Sequence, residues 1–251
     1  MTADVPLESW PDRLEQVIAE HCTLFTRIVV LRETNSTQDA ARRMNGAAGD
    51  VFIAWRQTAG RGRLGRAWAD TAHQGIALTA VIARQPSPER LAIASAVGVA
   101  RAVESLLGRP VGIKWPNDII VDRRKLAGIL VEQVEDLALV GIGLNVAQTA
   151  WPDELQSRAV SLAQLGANVD RLGAIAALLP ALDAAMRSNS EELTSEFASR
   201  DVLRGTHATF RSNGQTISGT VVRVDPLRGL AALTDRGEIW LPAATTSVLA
   251  Q

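Results

Sequence analysis

Continuous apolar runs in the first third of the chain predict strands that are buried on both faces. RIVVL (residues 27 to 31), VFIAW (51 to 55) and IALTAVIA (76 to 83) are each too short for a typical helix. A stretch of different spacing follows, from Glu89 to Leu107. Its apolar side chains recur every three or four positions, which predicts an amphipathic helix that ends before Gly108. Shorter helices are predicted over residues 11 to 20 and from Ser36, where a capping residue stands three positions before Asp39.

Four more strand-like runs then come in succession: VGIKW, NDIIV, KLAGILVEQV and LALVGIGLNV. Their connections are short, and a tight DRRK turn follows the second run. A doubly wound parallel sheet needs helices between its strands, so this order predicts an antiparallel or mixed sheet. The fold class is therefore expected to be α+β.

Within the last hundred residues, the predicted secondary structure changes near residue 204. Residues 150 to 204 read as mainly helical, with Asp170 as a cap and with Pro180 bending or splitting its helix. From Gly205 the pattern is one of short strands, with Asn213-Gly214 at a hairpin turn, which indicates a small β-barrel. We therefore expect two domains, at residues 1–204 and 205–251.

Composition limits the classes of function. The 251 residues are 47% hydrophobic and carry a net charge of -1, so the chain lacks an overall basic field that would attract nucleic acid or a membrane. The single cysteine, Cys22, excludes an internal disulfide, and no apolar run reaches the roughly 18 residues of a membrane span. The amino terminus lacks an apolar signal core, and we expect a reduced, cytoplasmic setting.

Of the 26 basic residues, 24 are arginine, and the two lysines are Lys114 and Lys125. Lysine is a compact point charge, whereas arginine is a planar fork. In a chain that uses arginine so widely, the two lysines mark positions where arginine does not suffice; compositional drift is the alternative explanation.

The stretch GRGRLGR, residues 60 to 66, matches the dinucleotide-binding pattern G-x-G-x-x-G. A Rossmann site needs a helix that opens within this loop, but the following RAWADTAHQG has no apolar periodicity. A P-loop needs Gly-Lys-Ser/Thr, which is absent. Two interpretations remain: a glycine-rich loop whose backbone N–H groups and arginines surround an anion, or a solvated basic turn.

A second cluster, KWPND (residues 114 to 118), is followed by DRRKLAG (122 to 128). The two lysines flank a predicted hairpin, and Gly128 permits close approach of a ligand to the backbone. An ordinary charged hairpin is the alternative. The three arginines of GRGRLGR and the two lysines together give five cations beside Asp118, which suits a reaction between a carboxylate and a nucleoside triphosphate.

Three motifs in this order, QTAGRGRLGRAW, KWPNDIIVDRRKLAGILVE and GIGLN, resemble the biotin protein ligase family. The resemblance covers roughly residues 28 to 250. It implies a mixed-sheet catalytic domain like that of class II synthetases, with a C-terminal SH3-like β-barrel. It also implies a two-step reaction, in which biotin and ATP form biotinoyl-5'-AMP and pyrophosphate, and a lysine of a biotin carboxyl carrier protein then displaces AMP.

The resemblance also implies the site residues. Ser36, Thr37 and Gln57 are expected to hold the fused rings of biotin, and Gln38 stands where the family usually has Asn. Arg63 and Lys125 are expected to meet the biotin carboxylate and the α-phosphate. The remaining expected binding residues, in the loop that closes over the adenylate and along the nucleotide, are Gly60, Arg61, Gly62, Arg66, Trp68, Asn117, Gly128 and Asn145.

Four residues are expected to carry the chemistry: Arg63, Lys114, Asp118 and Lys125, of which Asp118 orients or deprotonates the acceptor lysine. No protein-built metal site is predicted, and Mg²⁺ is expected to arrive with ATP. About 27 residues precede the first strand, too few for a helix-turn-helix domain, so no DNA binding or repressor activity is expected. The oligomeric state stays open.

Two alternatives remain. A lipoate ligase or octanoyltransferase shares the catalytic fold, although Cys22 lies before the first strand and is poorly placed for the transferase mechanism. A non-catalytic biotin-binding module is the other alternative, but binding alone does not need both lysines beside Asp118.

Overall fold

The computed structural model describes residues 5–68 and 73–250. Within this part of the chain, the α-helices are α1 (Trp10–His21), α2 (Thr37–Arg43), α3 (Pro88–Leu107), α4 (Asp153–Gln156), α5 (Arg171–Arg187) and α6 (Ser190–Arg200). Short 3-10 turns occur at Leu7–Ser9, Arg63–Gly65 and Ala163–Leu165. The helices of the first two hundred residues cover one large sheet, and residues 207 to 250 form a second sheet.

The strands of the first sheet are β1 (Arg27–Thr34), β2 (Asp50–Gln57), β5 (Ile76–Ala83), β6 (Gly112–Lys114), β7 (Asp118–Val121), β8 (Arg124–Val134) and β9 (Leu137–Leu144). Their order is β1-β2-β5-β9-β8-β7-β6. The β1–β2 pair is parallel, and the other neighbours are antiparallel. The predicted mixed sheet is therefore confirmed. A separate two-stranded hairpin is formed by β3 (Gly60–Arg61) and β4 (Ala67–Trp68).

The C-terminal sheet contains β10 (His207–Ser212), β11 (Gln215–Asp225), β12 (Gly229–Thr234), β13 (Gly237–Pro242) and β14 (Thr246–Ala250). It is antiparallel, in the order β13-β12-β11-β10-β14. The predicted Asn213-Gly214 turn joins β10 to β11, and both residues have positive φ, of 49° and 79°. This sheet fits an SH3-like fold and agrees with the α+β class.

The predicted boundaries hold best where the sequence carries a helix-end signal. Helix α3 begins behind Ser87, whose Oγ accepts from the Arg90 N–H at 3.1 Å, and it ends at Gly108 with a φ of 65°. Strands β1 and β2 run beyond their apolar cores, because the parallel ladder continues to the pair Thr34–Gln57. This extension brings polar side chains to the end of the sheet.

Of the two outcomes expected at Pro180, a bend or a split in its helix, the split is wrong. Helix α5 is continuous from Arg171 to Arg187 with Pro180 inside it, and it begins at Asp170, whose carboxylate accepts from the Gly173 N–H at 2.7 Å. Tertiary packing overrides the local preference of proline here. Helices α3 and α5 pack closely at Gly98, where a Cβ atom would stand 2.8 Å from the Leu182 Cα.

Two buried charges attach α5 to the rest of the fold. Arg171 lies 3.6 Å from the ring centre of Trp55 and donates to the backbone oxygens of Trp55 and His73, at 3.0 Å and 2.8 Å. The fully buried Asp183 accepts from the N–H groups of Thr23 and Leu24, at 2.8 Å and 2.6 Å. The two side chains thereby fix the segment before β1 and the end of the loop that enters β5.

We predict that Asp183→Ala lowers the free energy of unfolding by about 2–4 kcal/mol, because two backbone N–H groups and the Arg187 guanidinium lose their acceptor. Urea denaturation at pH 7 measures the change. Asp12→Ala, an exposed acidic position in α1, is the control and should change stability by less than about 1 kcal/mol. Equal effects of the two substitutions would contradict the anchoring role.

Candidate active site

A cavity of about 200 Å³ lies between the first sheet, the start of α2, the β3–β4 hairpin and strand β14. We refer to it as the central cavity. All the residues expected at the site except Gly60 and Asn145 line it. Those residues are Ser36, Thr37, Gln38, Gln57, Arg61, Gly62, Arg63, Arg66, Trp68, Lys114, Asn117, Asp118, Lys125 and Gly128. The fold thus gathers them in one place, and their individual roles stay predictions.

One end of the central cavity is uncharged and polar. The Thr37 N–H donates to Gln57 Oε1 at 2.9 Å, and Thr79 Oγ1 donates to Thr37 Oγ1 at 2.8 Å. Ser36 caps α2 by accepting from the Asp39 N–H at 3.5 Å, as predicted. These side chains are buried, so this end offers fixed donors and acceptors to a neutral polar ring.

Gln38 is held by the sheet itself. Its Nε2 donates to the backbone oxygens of Leu130 and Leu139, at 3.3 Å and 3.4 Å, and the residue is only 4% exposed. A Cβ atom at Gly141 would stand 3.0 Å from the Gln38 amide. The longer side chain in place of Asn is therefore accommodated by a glycine on the strand beneath it.

Three glycines on β8 and β9, Gly128, Gly141 and Gly143, form the floor of the central cavity. Gly128 and Gly143 are cross-strand partners. The indole of Trp68 lies on this glycine floor, so that a Cβ atom at Gly143 would come within 2.2 Å of the ring. Sequence reasoning missed Gly141 and Gly143, although glycines that alternate along an apolar strand are a signal of close approach.

The glycine-rich segment folds as a hairpin and not as a Rossmann loop. Gly60 pairs with Trp68, the Gly62 N–H donates to the Arg66 oxygen at 2.7 Å, and Gly65 has a φ of 74°. At Gly60 a Cβ atom would lie 2.5 Å from Gln57 Nε2, so glycine lets the hairpin approach the polar end. The stretch expected to lack a helix continues through residues 69–72, which lie outside the described residues.

The arginines of this hairpin have separate partners. Arg61 forms ion pairs with Asp39 at 2.6 Å and with Glu132 at 3.4 Å, and its hydrogen bond lowers the pKa of Asp39. Arg63 instead donates to the backbone oxygens of Ala243 and Thr246, each at 3.4 Å. Burial lowers the pKa of Arg63. The hairpin is thereby joined to α2 on one side and to the C-terminal sheet on the other.

The opposite end of the cavity is cationic. Lys125 Nζ lies 2.7 Å from Asp118 Oδ1 and 5.5 Å from the ring centre of Trp68. Burial, more than any other cause, lowers the pKa of Lys114; Arg158, Lys125 and Arg66 lower it further, while Asp118 opposes them. We call Arg66, Lys114, Lys125 and Arg158 the cation cluster. Such an arrangement favours a multiply charged anion.

Arg158 was not predicted, because it lies in the loop after α4, outside the three motifs. Its carbonyl accepts from the Lys125 N–H at 2.7 Å, so the loop is attached to β8 beside the lysine. No local pattern in the sequence marks it, since the contact depends on how a distant loop folds back.

Both predicted asparagines contact the backbone. Asn117 Nδ2 donates to the Ile129 oxygen at 2.7 Å, and Asn145 Nδ2 donates to the oxygens of Val160 and Lys125, at 3.0 Å and 3.3 Å. Asn145 lines a larger outer cavity of about 1240 Å³. The two cavities share the cation cluster, Trp68 and Asp118 along their boundary.

The residues present do not build a magnesium site. Asp118 is the one carboxylate in the described lining of the central cavity, and it is paired with Lys125. No group of three His, Cys, Asp or Glu residues that could hold a metal ion occurs in the described ranges. Mg²⁺ prefers several oxygen ligands, so this donor set does not suit it.

Comparison with known proteins agrees with this geometry. The sequence model of the Biotin/lipoate A/B protein ligase family matches residues 29–147. A biotin--[acetyl-CoA-carboxylase] ligase of Mycobacterium tuberculosis is 35% identical over 80% of this chain and 81% of its own length. The chain belongs to the biotin protein ligase family. The family resemblance carried by the three motifs is therefore confirmed, and the chain is a ligase.

Two further relatives of this biotin protein ligase extend the comparison. The bifunctional ligase/repressor BirA of Bacillus subtilis is 37% identical over 60% of this chain and 50% of its own length. A biotin protein ligase from Aquifex aeolicus, solved in complex with biotin and ATP, has a TM-score of 0.82 and 27% identity; the match covers 90% of this chain and all of that one. In residues 5–68 and 73–250, no helix of this ligase is long and apolar enough to cross a membrane.

We predict that Lys114→Met raises the stability of the ligase while lowering its activity at least tenfold. The lowered pKa of Lys114 means that its charge is unfavourable in the folded state, whereas an anionic substrate needs that charge. As pH rises from the lowered pKa towards the ordinary lysine value of about 10.4, the parent regains this stability, so the gain from Lys114→Met should shrink.

Urea denaturation at pH 7 and pH 10 measures this difference, and Arg13→Met, an exposed position in α1, is the control. A loss of stability in Lys114→Met at pH 7 would show that the lysine is a structural residue.

Proposed function

We propose that this chain activates biotin with ATP and transfers it to a lysine of a biotin carboxyl carrier protein. The observation that carries the proposal is the central cavity itself, with an uncharged polar end, a glycine floor and a cationic end in line. These three environments, in this order, suit a neutral bicyclic ring that an aliphatic chain joins to a carboxylate. The cationic end would then hold that carboxylate next to a phosphate. The complex of the Aquifex aeolicus relative with biotin and ATP supports both substrates.

In the first step, a carboxylate oxygen of biotin attacks the α-phosphorus of ATP, and the bond from that phosphorus to the bridging oxygen of pyrophosphate breaks. Two anions approach each other, so the barrier is lowered by positioning and by charge neutralisation. Lys114, Lys125 and Arg66 supply positive charge without a proton transfer. Arg63 is proposed to join them, although its guanidinium also contacts the C-terminal sheet.

In the second step, the amine of the acceptor lysine attacks the acyl carbon of biotinoyl-5'-AMP, AMP leaves, and the amine loses a proton. Asp118 is the proposed acceptor or orienting group, because it lines both cavities and can face a chain entering through the outer one. The outer cavity is large enough to admit a lysine side chain beside the adenylate.

The surrounding assignments follow from the same proposal. Residues 1–204 are proposed as the catalytic domain and residues 205–251 as the C-terminal domain. A magnesium ion, if used, would be held mainly by the phosphates. The cytoplasmic setting and the absence of DNA binding stay predictions.

Lipoate activation is the second candidate, because the matching family model includes lipoate ligases. ATP–pyrophosphate exchange measured with biotin, with lipoate and with neither acid distinguishes the candidates. We expect exchange that depends on biotin. Exchange with lipoate alone would move the chain to the neighbouring group of ligases, and no exchange with either acid would favour a non-catalytic binding module.

Asp118→Asn tests the second step. We expect transfer to an isolated carrier domain to fall by about a hundredfold, because the amide cannot accept the proton, while exchange falls by less than about tenfold. Single-turnover transfer from preformed biotinoyl-5'-AMP isolates this step. Equal losses in both assays would instead indicate that Asp118 acts only through its ion pair with Lys125.

A further inference from the structure

Strand β14 of the C-terminal sheet forms one wall of the central cavity. Ser247, Val248 and Leu249 line it beside the hairpin arginines. Because these residues come from the last strand, the cavity is closed by a part of the chain that shares no motif with the rest of the site.

The hydroxyl of Ser247 is unusual within this wall. It is buried and has no hydrogen-bond partner among the described residues, and the residue as a whole is 8% exposed. The hydroxyls next to it behave differently, since Ser212 and Thr246 pair with each other at 2.9 Å. Buried hydroxyls in folded proteins are nearly always hydrogen-bonded, so an unpaired one beside a cavity points to a partner that enters from outside.

The backbone around Ser247 is fixed. It is the cross-strand partner of Arg211 in β10, and the carbonyl of the preceding residue, Thr246, accepts from Arg63. A second contact between the two sheets lies at the turn between β11 and β12, where the buried Trp115 donates to the Pro226 oxygen at 3.2 Å. The hydroxyl is therefore placed by strand pairing and not by a mobile loop.

Its neighbours determine the chemistry of the partner. Arg63 contacts the Thr246 carbonyl next to Ser247 and lines the same cavity as Arg66 and Lys114, so this side of the cavity carries positive charge. A ligand atom that reaches Ser247 from this side is a phosphate or ribose oxygen, which accepts a hydrogen bond from a hydroxyl.

We propose that the Ser247 hydroxyl donates a hydrogen bond to an oxygen of the bound nucleotide, so that the C-terminal sheet is part of the nucleotide site. The identity of the nucleotide as ATP rests on the proposed function. Ser247 acts as a binding residue, and biotin is held without it.

The test is direct binding to the full chain. The probe is an ATP analogue with a methylene between the α- and β-phosphorus atoms, titrated by calorimetry in the presence of saturating biotin. Loss of one hydrogen bond to a ribose or phosphate oxygen predicts that Ser247→Ala weakens analogue binding by at least about threefold and leaves biotin binding unchanged. The melting temperature should not fall, because the hydroxyl has no partner to lose. Ser218→Ala, at an exposed position of the same sheet, is the matched control and should bind like the parent.

Unchanged analogue affinity in Ser247→Ala overturns the proposal, and so does a parent chain that does not bind the analogue. A lower melting temperature with equal losses for biotin and analogue overturns it as well, because that result indicates a structural role. If the parent binds both ligands but shows no biotin-dependent exchange, the proposed enzyme activity fails while the comparison of analogue affinities still decides the role of Ser247.

Discussion

Burial of positive charge around Lys114 is the constraint on which the site depends. Four positive side chains converge on a partly buried volume. Burial is the main cause of the lowered pKa of Lys114, and the charges of Arg158, Lys125 and Arg66 lower it further, so holding this charge in place costs stability. Asp118 offsets part of it, through its ion pair with Lys125 and its influence on Lys114. The rest of this free-energy cost is offset by the stability of the sheet. Its buried strands hold the two lysines in position whether or not an anion is present.

The C-terminal sheet takes part in this support. Its buried residues join those of the first sheet in one continuous hydrophobic cluster that extends from Trp10 to Ala243. Trp115, in the turn between the two short strands β6 and β7, reaches across to Pro226, and Arg63 reaches to Ala243 and Thr246. The turn and the hairpin that border the cavity are thus both attached to the C-terminal sheet, which makes its placement a condition of the geometry of the site.

Much of this architecture follows from the sequence, for identifiable reasons. Strand β5 is a continuous apolar run, and the long helix α3 has strong periodicity with clear end signals. The bounds of both could therefore be predicted within a residue or so. The three motifs also located most of the cavity lining, because each is a short segment whose residues stay together when the chain folds. Pro180 does not split α5, because its local preference is weaker than the packing of α5 on α3.

The site residues that the sequence did not predict were missed for a different reason. Arg158 and Ser247 join the site through contacts between segments distant in the chain, and nothing in their own neighbourhood in the sequence records such a contact. Gly141 and Gly143 were in a motif already noted, but their role as a floor depends on the register of β8 against β9 and on where Trp68 lies. Contacts between strands and hairpins that are far apart in the chain, and the return of remote loops, are tertiary properties that local patterns do not encode.

The ion pair between Asp118 and Lys125 also bears on how the chain avoids acylating its own lysines. Under the proposed function, the cavity generates an acylating agent aimed at primary amines, and the chain contains two lysines, both beside that agent. The ion pair places the Lys125 nitrogen 2.7 Å from a carboxylate oxygen, so this nitrogen is directed at Asp118 and the acyl group is left for an amine delivered from outside. The chain has no other lysine, so an escaping adenylate meets no further lysine amine on it.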